Sequence, residues 1–198
     1  MGQEQPGTSQ PDDQGSARFH FKKILASNTG QCMEEGLGVN LNLGSGKIKW
    51  PNWLAVDIER GDIKCDLRSL DLPNDYADQA AAIHVLEHFY QWEVIALLKE
   101  WRRVLKPGGK LILELPCMDK VISYIHNCIT QNLPISPSFS WFVFWGDPKY
   151  KDPYMVHRWG YTKAMLEEAL TLAAFREVTF MEPRYHFPQR DMRVECFK

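Results

Sequence analysis

Two glycines flank a serine at Gly44-Ser45-Gly46, directly after the alternating run Val39-Asn40-Leu41-Asn42-Leu43. That pattern predicts a β-strand running into a tight turn. Glycines there permit positive φ and let a ligand approach backbone N–H groups closely. A second apolar run, Trp53 to Ile58, carries an acid, Asp57, at its end. A carboxylate in that place can accept both hydroxyls of a ribose.

Ten residues separate Gly46 from Asp57, and they include Pro51 and two tryptophans. A dinucleotide fingerprint wants G-x-G-x-x-G opening a helix, with the acid about 20 residues on. A crossover that includes a helix needs at least about 10–12 residues. The first helix is therefore expected to be stunted or absent, which disfavours a pyrophosphate on a helix N-terminus. An NAD-dependent oxidoreductase fits poorly for the same reason. A ligand with ribose and adenine but no phosphates fits better, and S-adenosylmethionine is such a ligand.

Histidines supply the second set of candidates. His84, Glu87 and His88 stand at i, i+3 and i+4 and would converge on a helical turn, where they could hold a divalent metal. Against that, His84 reads as still on a strand and Glu87-His88 as the cap of the next helix, so packing is expected and no metal ligands. His157 is the leading candidate general base for an acceptor hydroxyl, with His88 second, because imidazole titrates near neutral pH. His157 lies in an unusual segment: nine aromatics fall between Phe139 and Tyr161, against 12% aromatic content overall. Such side chains can stack on a ring or a sugar, or pack as a lid.

The elements that must hold these residues follow from periodicity. Strands are expected near 39–43, 53–58, 62–66, 80–85 and 110–115, and two more at 177–181 and 192–197. Residues 90–105 form a helical pattern stopped by Lys106-Pro107-Gly108-Gly109, and 162–173 a second one with Thr162 as N-cap. A weaker helical pattern covers 19–35. Pro183 and Pro188 favour a hairpin or short loop before the last strand, which would then run antiparallel. The rhythm is that of an α/β doubly wound sheet of about seven strands, single-domain and mostly parallel with a late antiparallel strand.

At this point the chain resembles a known family. VNLNLGSGKIKWPNWLAVDI, CDLRSLDLP, HVLEHF and LKEWRRVLKPGGKLILELP are together similar to the class I S-adenosylmethionine-dependent methyltransferases, with their Rossmann-like fold. Within them the chain is most similar to a bacterial group with a shortened Gly-loop-to-acid spacing. The likeness spans about residues 39–117 and extends weakly to about 181. Gly-Ser-Gly-Lys departs from the Gly-Cys-Gly common in the family. The resemblance implies that Leu43, Gly44, Ser45 and Gly46 line the methionine end, and that Asp57, with Ile58, holds the ribose. Asp66 and Leu67 would flank the adenine, and His84 and Val85 would pass beneath the sulfonium. Methyl transfer to a small-molecule or glycan-type acceptor is the expected activity, and a methyltransferase-like protein that binds without turnover is the alternative.

Composition sets the outer bounds. The 198 residues carry 23 Lys plus Arg and 25 Asp plus Glu, a formal charge of −2, so no basic surplus marks a nucleic-acid binder. Residues 1–18 are polar and read as a disordered tail, leaving 19–198 as the methyltransferase domain with 118–161 as an aromatic-rich acceptor lid. No apolar run approaches the roughly 20 residues of a membrane span, and the start lacks the apolar core of a signal peptide. Five cysteines without C-x-x-C spacing fit free thiols in a cytoplasmic protein.

Overall fold

The computed structural model describes residues 38–198. The expected tail, the helical pattern at 19–35 and Cys32 lie outside the described residues. The strands are β1 (Asn40–Leu43), β2 (Leu54–Asp57), β3 (Ile63–Lys64), β4 (Ala77–Ile83), β5 (Leu105–Pro116), β6 (Arg176–Met181) and β7 (Asp191–Phe197). The α-helices are α1 (Val94–Val104), α2 (Met118–Thr130), α3 (Trp141–Trp145) and α4 (Lys163–Leu172), and short 3₁₀ turns cover Leu86–His88, Pro137–Phe139 and Pro153–Met155.

One sheet holds all seven strands in the order β3-β2-β1-β4-β5-β7-β6. β1 pairs in parallel with both β2 and β4, so the strand order reverses there, and the parallel set ends at β5. β7 runs antiparallel between β5 and β6. Its insertion between those two strands was not expressed in the pattern of either. No helix connects β1 to β2, as the ten-residue spacing predicts.

Both faces of the central strands are covered, and their residues are apolar or small for that reason. Leu41, Leu43, Ala80, Leu111, Leu113, Leu115 and Val194 are all at or below 1% exposure. Even Asn42 is buried, and its side-chain amide donates to the Ile48 carbonyl at 3.2 Å, which ties the β1–β2 loop back to the strand. α1 buries Val94, Leu97, Leu98, Trp101 and Val104, the i, i+3, i+4 stripe of an amphipathic helix. Trp101 is fully buried and satisfies its indole N–H on the Leu67 carbonyl at 3.0 Å. The helix starts at Val94 and not at Tyr90, because Glu93 caps the preceding turn by accepting from the Tyr90 N–H. Thr162 caps α4 by accepting from Met165 N, as expected.

β5 also begins earlier than its apolar core suggests. Leu105 pairs with Ala77, so Lys106–Gly109 belong to the strand and not to a stop signal alone. At its other end sits a fully buried carboxylate, Glu114. It accepts N–H bonds from Arg184, Tyr185 and His186 at 2.8–2.9 Å and faces the Arg193 guanidinium at 3.6 Å. These bonds fix the loop between β6 and β7 over the carboxyl end of the sheet. Removing one partner of a buried ion pair leaves the rest uncompensated. Glu114→Ala should therefore lower unfolding free energy by about 3 kcal/mol, read from the urea midpoint at unchanged slope.

Candidate active site

The carboxyl ends of β1, β2, β3 and β4 lie side by side, where ligands bind in open α/β sheets. Gly44 and Gly46 both take positive φ, +65° and +54°. Gly44 N and Ser45 N donate to the Val56 carbonyl, and Gly46 N donates to Asp57 Oδ2 at 2.9 Å. The glycine turn and the strand-end acid are thus joined directly. Asp57 Oδ1 also accepts from Glu59 N and Arg60 N. Asp57 is therefore a turn-former as well as a strand-end acid, and three of its roughly four acceptor sites are in use.

Two features of the turn leave room for a ligand. A Cβ at Gly46 would meet nothing within 4 Å. The Ser45 hydroxyl is buried and has no partner among the described residues. Gly44, by contrast, is closed in, since a Cβ there would stand 2.6 Å from Val85 Cγ2. Ile58 is exposed beside Asp57. Asp66 follows β3; its carboxylate accepts from Arg68 N at 2.9 Å and pairs with the Arg68 guanidinium. Leu67 is buried in the core and supplies its carbonyl to Trp101.

His84 follows β4 with φ +53° and donates its backbone N–H to the Glu114 carbonyl. Its ring stands between two buried carboxylates, with Nδ1 3.0 Å from Glu87 and Nε2 3.2 Å from Asp191. Burial pushes the His84 pKa down, but Glu87 and Asp191 outweigh burial and bring it up to about 9. Burial likewise pushes Glu87 up, and the His84, His88 and His157 imidazoles bring it down to about 2. Asp191 also ends at about 2: against burial act His84 and the Arg190 guanidinium, which grips both carboxylate oxygens at 2.6 and 2.8 Å.

Glu87 and His88 do not cap α1, as the sequence suggested. They form their own 3₁₀ turn, with Glu87 facing inward. The Glu87 carbonyl accepts from Arg158 N and Trp159 N, and Arg158 Nη1 donates to the His88 carbonyl at 2.6 Å. This strap lays residues 153–159 over the turn and brings His157 beside His88, ring centroids 4.9 Å apart. His88 Nδ1 meets the Val156 carbonyl at 3.1 Å and His157 Nδ1 the Val143 carbonyl at 2.8 Å. A carbonyl only accepts, so each Nδ1 carries the hydrogen and each neutral ring keeps its Nε2 lone pair. Burial pushes the His88 pKa down.

His84, His88, His157 and His186 line one cavity of about 360 Å³, together with Ser138, Phe142, Lys149, Tyr150 and Arg190. Of the aromatic segment, Phe142 and Tyr150 line the cavity; Trp141, Trp145, Tyr150 and Tyr154 are exposed, whereas Tyr161 is buried, its pKa raised by burial and by the Glu87 carboxylate. The first part of the stretch expected as a lid is a helix, α2, which occupies 118–130. His186, Arg190 and Asp191 escaped the sequence reading. They stand in a polar loop about a hundred residues from His84, and no local spacing links them.

Residues 41–113 match the family model described as methyltransferase domain. Solved structures of SAM-dependent methyltransferases share the fold. One from Thermotoga maritima, described as "possible histamine N-methyltransferase", has 17% identity and a TM-score of 0.54, covering 91% of this chain and 90% of its own. One from Archaeoglobus fulgidus has 14% identity and a TM-score of 0.52, covering 93% and 92%. One from Methanosarcina mazei has 18% identity and a TM-score of 0.53, covering 83% and 94%. At such identities the likeness is one of fold. No curated protein sequence matches.

The closed-in position at Gly44 gives a test of the turn. Gly44→Ala should cost about 1–3 kcal/mol from the left-handed backbone alone, and more from the contact with Val85. The double variant with Val85→Ala should be less destabilised than the sum of the two single changes, measured as a double-mutant cycle in urea.

Proposed function

We propose that this class I S-adenosylmethionine-dependent methyltransferase transfers the methyl group to a small-molecule or glycan-type acceptor seated in the cavity lined by His84, His88 and His157. One observation supports this most directly. His84 and Val85 are adjacent in the chain, yet Val85 packs on Gly44 of the glycine turn while His84 lines the cavity. The turn and the cavity are therefore neighbours across a single peptide step.

The turn suits the cofactor. Leu43, Gly44, Ser45 and Gly46 would meet its methionine end, where the partnerless Ser45 hydroxyl and the open face of Gly46 stand ready. Asp57, beside Ile58, would take the ribose hydroxyls with its remaining acceptor site, and with the one now given to Gly46 N if that bond yields. Asp66 and Leu67 would flank the adenine, and His84 and Val85 would lie beneath the sulfonium. When bound, S-adenosylmethionine supplies a methyl carbon that an acceptor lone pair takes in line, the C–S electron pair leaving with sulfur.

The chain's own task is then to align the acceptor and receive its proton. His157 is fixed through Nδ1 with Nε2 free, the form a general base needs, and His88 stands at its edge in the same tautomer. Holding a nucleophile aligned supplies much of the rate. Residues 139–155 form the acceptor wall. Net charge gives no reason to expect a nucleic-acid acceptor. A cytoplasmic location belongs to the same proposal, since Cys65, Cys117, Cys128 and Cys196 are all free thiols. No described helix is long and apolar enough to cross a membrane.

The two halves of the site should fail differently. Asp57→Ala removes a charged acceptor worth roughly 1.5–3 kcal/mol, so affinity for S-adenosylhomocysteine should drop by about one to two powers of ten in calorimetric titration. Unchanged affinity would refute the ribose assignment. His157→Ala should leave that affinity nearly intact and lower transfer of labelled methyl groups to acceptors in a cell extract by about 10²–10⁴-fold. Loss of cofactor affinity in the His157 variant would instead make its segment part of the cofactor site.

A further inference from the structure

Glu87, close to two of the cavity histidines, is a demanding buried group. It is 2% exposed, and neither carboxylate oxygen accepts a hydrogen bond among the described residues. His84 Nδ1 lies 3.0 Å from Oε1, close enough to pair charges but off hydrogen-bonding geometry. A carboxylate offers about four acceptor sites, so Glu87 is far from saturated.

Two imidazoles lie close to Glu87. One ligand atom from each of Glu87, His88 and His157 lies within 4.8 Å of the other two. Both rings donate Nδ1–H to a backbone carbonyl, Val156 for His88 and Val143 for His157. That is the supporting contact metal-bound histidines make almost without exception, because it fixes the tautomer that presents Nε2. Bonds of about 2.0–2.1 Å would draw the three donors inward by an ångström or so.

We propose that Glu87, His88 and His157 bind a divalent first-row transition cation whose remaining coordination positions face the cavity. Two imidazoles and one carboxylate suit zinc, cobalt, nickel or ferrous iron, whereas magnesium and calcium favour all-oxygen sets. Both histidines line the cavity while Glu87 is buried outside its lining, so the open side of such a cation would be the cavity side, where an acceptor would sit. A second cluster, His84, His186 and Asp191, is also close-set. It is the poorer site, because Arg190 holds both Asp191 oxygens and Phe187 N–H takes a further lone pair.

The chemical consequence rests on the acceptor reading given above. A hydroxyl bound to such a cation ionises far more readily than a free one and passes its proton to water. The imidazoles would then act through the cation and not as free bases.

The site is testable without any acceptor. Untagged full-length protein, stripped with chelator and titrated with Co²⁺, should develop the visible absorption of nitrogen-ligated cobalt, saturating at a single equivalent, and Zn²⁺ should displace it. Loss of a supporting contact alone weakens a metal site by about 10–100-fold, so Glu87→Gln and His157→Ala should each weaken binding by about 100-fold or more. His157→Ala is half-exposed and should fold even where the Glu87 change does not. His186→Ala should leave cobalt affinity unchanged. No saturable binding to the folded chain, or binding lost in His186→Ala but kept in His157→Ala, would overturn the assignment. Cobalt binding retained in Asp57→Ala, together with unaltered S-adenosylhomocysteine binding there, would spare the cation site while sinking the cofactor site. Cofactor binding with no cation would do the reverse.

Discussion

Three carboxylates are buried at one end of this sheet, and each needs compensation from neighbouring groups. Glu87, Glu114 and Asp191 are at most 2% exposed. A buried charge without partners costs several kcal/mol, so such groups persist only where geometry supplies opposite charge or N–H donors. Glu114 draws in the backbone of residues 184–186. Asp191 holds Arg190, which in turn reaches the Ser138 carbonyl at 3.1 Å. Glu87 and Asp191 share His84 between them. The roof over the carboxyl end of the sheet is in this sense an electrostatic construction. Apolar burial builds the sheet and its helices, and buried charge decides how the later segments close over it.

That division matches the division of labour. The glycine turn and Asp57 sit on the early, parallel half and are joined by one backbone hydrogen bond across the short β1–β2 connection. The histidine cavity draws on the late segments, residues 138–157 and 186–190, brought in by the buried charges. His84 and Val85 join the two halves: His84 lines the cavity and Val85 packs on Gly44. A peptide in left-handed conformation at His84 sends one side chain toward the later segments and the next toward Gly44.

Much of the early half was legible in the sequence because its information is local. Alternation marked β1, the glycines marked the turn, and the ten-residue count correctly forbade a helix before β2. Thr162 as N-cap was readable for the same reason. The position of β7 between β5 and β6 was not, since strand order depends on which edges pair and no residue pattern states it. Asp57 ends the second strand as expected, and the three N–H groups it holds depend on how the turn and the following loop fold around it. Glu87 and His88 were read as a helix cap because acids commonly start helices. Inward rotation of Glu87 depends on Arg158 and Trp159, some seventy residues on, gripping its carbonyl. Asp191 and His186 reach His84 through the fold alone.

The fastening of residues 138–159 has a bearing on how such a protein can diversify. The segment is secured largely by main-chain groups: the carbonyls of Glu87, His88, Ser138, Val143 and Val156 and the amides of Arg158 and Trp159. The Glu87 carbonyl is held by two backbone amides and the other four carbonyls by the side chains of Arg158, Arg190, His157 and His88, none of them one of the exposed aromatics. Trp141, Trp145, Tyr150 and Tyr154 in this segment are exposed and support little of the interior. Drift at Tyr150, which lines the cavity, can therefore reshape it while the scaffold beneath stays in register. Related chains can share the glycine turn and sheet of this one and still have diverged in what they admit.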